Sequence, residues 1–174
     1  IQQGESVMKI PQEAIIETRS LLDTTEIGRA IMIDNASIIQ ELSKDETLGP
    51  AFTNLFTFGA FLALEKKAGS SSKYARWIGA LPALEELKGA LFWDENMDVC
   101  LDRAVAQEGQ SLRRMLSKAV EAAEKVCAQE EAKGACPNGP PTTDEFRWAM
   151  GTYLHRNFQD QALLIGGDFA VTSN

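Results

Sequence analysis

The chain has 174 residues, 44% hydrophobic and 24% charged, a balance that supports a buried core and excludes an intrinsically disordered chain. Its net charge of −8 repels phosphate backbones, so nucleic acid is not an expected partner; acidity of this size otherwise serves solubility. The longest apolar stretch, 55–64, is broken by Thr57 and followed by Glu65-Lys66-Lys67, well short of the ~20 residues of a membrane span, so no membrane partner is expected either.

The chain opens in what reads as a strand, I-Q-Q-G-E. Gly4 turns it, and 5–10 reads as a second short strand ended by Pro11. Residues 12–22 are ambiguous, with Pro11 able to open a short helix. Residues 34–42 look helical, with Ile38, Ile39 and Leu42 on one side. Gly49-Pro50 is a helix-start signal for 51–66. There Phe52, Leu55, Phe56, Gly59 and Leu62 share one face, and Phe58, Phe61 and Leu64 fill another. Apolar residues on two faces predict a buried core helix. Ala68-Gly69-Ser70-Ser71 ends it, and Ser72 can cap a further helix over 73–81, before Pro82.

Residues 111–129 give the clearest amphipathic pattern, with Leu112, Met115, Leu116, Ala119, Val120, Ala123 and Val126 at helical spacing. The opposite face carries Arg114, Lys118, Glu121 and Lys125, the last two as an i,i+4 pair. This helix could reach back toward Asp94, with Gly109 a weak point. K-G-A-C-P-N-G-P-P (133–141) is a loop. Thr142-x-x-Glu145 matches a capping box and opens a helix with Phe146, Ala149, Met150, Tyr153 and Leu154 as its stripe. After it, 162–165, Gly166-Gly167 and 168–171 read as a hairpin. Strand-like segments at both ends read as cuts through a larger fold.

Three cysteines, Cys100, Cys127 and Cys136, contain no C-x-x-C, so reduced thiols in an intracellular setting are expected rather than a disulfide framework or a structural zinc. The single histidine, His155, has no H-E-x-x-H partner and no G-x-S-x-G nucleophile, and reads as a surface or packing residue. No phosphate-binding glycine loop is present. Composition and periodicity lead to a soluble, mainly helical protein with a few short strands, and no further.

Four stretches together resemble one family. They are I-Q-Q-G-E-S-V-M-K-I-P (1–11), S-K-Y-A-R-W-I-G-A-L-P (72–82), L-F-W-D-E (91–95) and F-R-W-A-M-G-T-Y-L-H-R-N-F (146–158). In this order they are similar to the SET-domain methyltransferases with a helical insertion, the group of the Rubisco large-subunit lysine methyltransferase and the actin-histidine methyltransferase. The resemblance implies an α+β chain: 1–32 as the N-terminal part of a SET core, 33–158 as the helical insertion and 159–174 as the return to the core.

It also implies transfer of a methyl group from S-adenosyl-L-methionine to a nitrogen of a protein side chain. Arg156 matches the family arginine whose guanidinium fork holds the cofactor's carboxylate. Phe158 matches a substrate-channel position that is aromatic in lysine-modifying relatives, which tilts the substrate from histidine toward lysine. An aromatic slot disfavours ammonium, and lysine, with a pKa near ~10.4, must lose its proton before it can attack. Bare residue reading offers other roles: Arg156 as a helix-end cation facing the C-terminal dipole, Phe158 as a continuation of the stripe begun by Phe146. Tyr74, Trp77 and Trp148 read as packing.

The family's chemistry requires no metal, but its glycine-rich cofactor loop, Asn-His motif and catalytic tyrosine have no match in the 174 residues, so no methyltransferase activity is expected from this chain by itself. The alternative is a helical protein-binding module or pseudoenzyme. Substrate protein, number of methyl groups, oligomeric state and the choice among cytoplasm, nucleus and plastid stay open.

Overall fold

The computed structural model describes Ile16, Ser20, Leu21, Thr25, residues 49–94, 96–97, 102–129, Gly134 and 136–156. Within these residues the protein is mainly helical and contains no strand. The expected strands at 5–10, 162–165 and 168–171, and the expected helix at 34–42, lie outside the described residues.

Among the described residues four helices carry the fold: α1 (Gly49–Ala68), α2 (Ala75–Ile78), α3 (Arg103–Cys127) and α4 (Thr143–Arg156). Three-residue 3-10 turns sit at Gly69–Ser71, Leu84–Glu86 and Ala90–Phe92. As its two apolar faces require, α1 is covered all round: Leu55, Phe56, Ala60, Phe61, Leu62 and Ala63 are buried. It runs antiparallel to α4. The Lys67 ammonium at its C-terminal end meets Glu145 at the start of α4 (3.5 Å), while Phe58 meets Tyr153 near the other end, ring centroids 5.2 Å apart. Phe56 stacks on Phe146, ring centroids 6.0 Å apart.

The helix α3 starts earlier than its amphipathic pattern suggested. Asp102 is its N-cap, with Oδ1 accepting from the Ala104 N–H (2.9 Å). It passes through Gly109 without a break. A Cβ there would lie 3.4 Å from the Ala90 carbonyl oxygen, so glycine serves close approach to the 90–92 turn. Its buried side carries Leu116, Ala119, Ala122, Ala123 and Val126. On the outer side Glu121 bonds both Lys125 (2.8 Å) and Lys118 (3.2 Å), which hold its carboxyl below the usual range.

The expected helix over 73–81 shrinks to the single turn of α2. Ser72 does act at its entrance, accepting from the Tyr74 N–H (3.0 Å) and donating to Glu65 Oε2 (2.5 Å). Beyond Ile78 the backbone tightens into i→i+3 bonds, Ala80 to Trp77 and Leu81 to Ile78. Pro82 disfavours helical dihedrals in the residue before it.

The capping box forms as its spacing demands. Thr142 N–H donates to Glu145 Oε2 (2.7 Å) and Glu145 N–H to Thr142 Oγ1 (3.3 Å). From this start α4 becomes the central helix, with Phe146, Trp148, Ala149, Met150 and Thr152 buried. Leu154, expected on the stripe, faces outward at 44% exposure.

The reading of the cysteines as reduced thiols is corrected: Cys127 and Cys136 form a disulfide. A spacing of 9 residues carries no sequence signal, and the pairing arises because α3 ends beside the chain that leads into α4.

Candidate functional site

Three of the four stretches that carry the resemblance meet on α4. Trp148 is 2% exposed, and its indole Nε1–H donates to the Pro82 carbonyl across 66 residues of sequence (2.7 Å). This ties the W-I-G-A-L-P segment to the helix. One turn further on, a Cβ on Gly151 would lie 2.3 Å from Phe92 Cζ and 3.1 Å from Leu87 Cδ1. Only glycine admits the Phe92 ring so close to the helix axis, and this contact ties the L-F-W-D-E segment to α4. The Trp93 carbonyl in turn accepts from the Arg113 guanidinium on α3 (3.4 Å).

Tyr74 and Trp148 pack as expected. Tyr74 sits edge-on to Phe61 at 5.2 Å. Trp77 departs from that expectation: it touches Tyr74 at 6.5 Å but remains 37% exposed. The other face of Trp148 carries the Lys66 ammonium, 3.6 Å from the ring centroid. Burial lowers the Lys66 pKa, and the charges of Glu145 and Glu85 pull it partly back.

The C-terminal end of α4 lies against 84–93. His155 is exposed, and its Nε2–H donates to the Lys88 carbonyl (2.6 Å), which assigns the proton to that nitrogen because a carbonyl only accepts. Gly89 turns the chain at φ +124° beside this imidazole. An open cavity of about 390 Å³ adjoins, lined by Leu84, Glu85, Leu87, Lys88, Phe92 and Trp93. Its two charged side chains, Glu85 and Lys88, are both solvent-exposed, and no nucleophile–base pair converges on it. Among the described residues no group of three His, Cys, Asp or Glu side chains is placed to hold a metal ion.

Arg156 is the last residue of α4, one position after the His155 anchor. Phe158 lies outside the described residues. What sequence reasoning missed is the pair of α4 anchors, Pro82 and Gly151. A glycine inside a strongly helical word, F-R-W-A-M-G-T-Y, was the available signal for the second.

No helix among the described residues is long and apolar enough to cross a membrane. No family model matches the chain, and no curated protein or solved structure is detectably similar to it.

Proposed function

We propose that this chain is the helical insertion, with flanking core segments, of a SET-type protein-lysine N-methyltransferase that uses S-adenosyl-L-methionine. The observation that supports this most is the convergence of three motif segments on α4. The words W-I-G-A-L-P and L-F-W-D-E follow one another closely but lie far in sequence from F-R-W-A-M-G-T-Y, yet Pro82 bonds Trp148 and Phe92 packs on Gly151. These contacts hold α4 rigidly, and α4 ends at Arg156.

In this reading Arg156 is the one cofactor contact the chain supplies. A guanidinium matches a carboxylate with two parallel hydrogen bonds. The bound cofactor would supply an electrophilic methyl on sulfonium. Phe158 would wall the lysine channel, where an aromatic surface disfavours the ammonium and aligns the amine for in-line attack. Glycine-rich loop, Asn-His motif and tyrosine would come from sequence beyond these 174 residues.

The other reading, a non-catalytic helical binding module, draws on the same contacts. Trp148 bonds Pro82 and Gly151 receives the Phe92 ring, contacts that serve packing and require no cofactor.

Calorimetric titration of S-adenosyl-L-methionine decides between them. The expected result is binding by a protein that extends through the missing motifs, none by the 174-residue chain, and weakening by Arg156→Ala. A hydrogen-bonded charge pair is worth about 2–5 kcal/mol when one partner is removed, so affinity should fall at least tenfold. Absence of binding by the extended protein refutes the methyltransferase reading and returns Arg156 to the role of a helix-end cation.

A further inference from the structure

The entrance of α4 is gripped from two sides. From α1, Lys67 Nζ donates to the Pro140 carbonyl (2.7 Å), and the Lys67 carbonyl accepts from Asn138 Nδ2 (3.1 Å). Pro141 is fully buried behind this contact. From α3, the covalent connection at this level is the Cys127–Cys136 disulfide. The last turns of α3 bury Ala119, Ala122, Ala123 and Val126. Three of these are alanines, and burial of so little apolar area gives a weak hydrophobic grip.

We propose that Cys127 and Cys136 form a redox-responsive clamp that couples the C-terminal end of α3 to the entrance of α4. A low-molecular-weight thiol is the reductant. Its thiolate attacks the Cys127 sulfur, the more exposed of the two. The S–S bond breaks and Cys136 leaves as a thiolate that takes up a proton. A second thiol resolves the mixed disulfide, so two thiols become one small-molecule disulfide while Cys127 and Cys136 gain two electrons and two protons. The α1 grip through Lys67, Asn138 and Pro141 contains no sulfur and survives. Reduction therefore loosens the α3 end without releasing α4 from α1, which is what separates a switch from a staple.

The test uses the whole 174-residue chain with Cys100→Ser, so that only two thiols titrate. Thiol content and Tm are measured across a glutathione series spanning cytosolic and secretory-pathway poises. The expected result is half-reduction inside the series, reversal on reoxidation, and a Tm about 5–10 °C lower for the reduced protein. The Cys127→Ser/Cys136→Ser variant should show the reduced Tm at every ratio. Three results overturn the proposal. A bridge that stays closed throughout is a permanent staple. Two free thiols at every ratio mean that no bridge forms. Equal Tm values for the two states mean that nothing is clamped. Thiol counts and Tm of the Cys100→Ser protein decide all three even where the double variant fails to fold.

Discussion

Replacing Trp148 by Phe isolates the anchor on which the α4 packing depends. The indole is 2% exposed, so its loss leaves a void that neighbouring side chains fill only in part. At about 24 cal/mol per Å³, the roughly 40 Å³ difference between the two side chains contributes about 1 kcal/mol. The hydrogen bond from Nε1 to the Pro82 carbonyl disappears and leaves a half-buried acceptor, another ~1 kcal/mol. Lys66 then sits over a poorer π-face, at a cost of a few tenths. The sum is about 2–3 kcal/mol, equivalent to a Tm decrease of roughly 4–12 °C for a chain of this size. Denaturation followed by circular dichroism measures it without relying on tryptophan emission, which the substitution changes. The midpoint should fall at constant m-value. A loss below about 0.5 kcal/mol would refute the anchor role, since ordinary surface substitutions lie in that range.

A Gly151→Ala substitution should destabilise by about 1–3 kcal/mol despite the higher helix propensity of alanine, because its Cβ meets the Phe92 ring at 2.3 Å; Phe92→Ala in the same chain should recover most of the loss in denaturant melts. Partial burial raises the Glu145 pKa, but hydrogen bonds from the Thr142 amide and hydroxyl, with the Lys67 charge, outweigh it and leave the carboxyl below the usual glutamate value. Since the folded value is depressed, this stabilisation is present above the unfolded pKa of ~4.3 and is lost as pH falls through the folded one. Glu145→Gln should thus be less stable than wild type near neutrality, with the difference closing in acid; a gap independent of pH would show that shape, not charge, matters at this cap.

The elements read best from sequence were those whose signal is local. Gly49-Pro50 and two apolar faces identified α1, and Thr142-x-x-Glu145 marked the start of α4 with the bonds that then form. The Glu121–Lys125 pair likewise follows from i,i+4 spacing alone. Signals that depend on a distant partner were illegible. Gly109 looked like a weak point because the Ala90 backbone it accommodates is remote in sequence. Leu154 fits a helical stripe, yet α4 is central and its neighbours, not its periodicity, decide which side chain faces out. The disulfide was missed because a spacing of 9 residues carries no pairing signal until the path from the end of α3 into α4 is known. At the candidate site, Arg156 was read by resemblance, and it stands at the end of α4.

The all-round burial of α1 also bears on how the protein is made. Its main cover is α4, and the Lys67–Glu145 contact that closes the pair spans 78 residues. At ribosomal rates of about 5–20 residues per second, those residues take roughly 4–16 s to synthesise. A helix and its side chains order in microseconds or less, so α1 waits for its partner through many thousands of its own relaxation times. For that interval a doubly apolar segment, rich in phenylalanine, is held on the nascent chain without its main cover. Holdase chaperones recognise such surfaces, and the rate at which 69–142 is translated becomes a determinant of how much chain reaches the folded state.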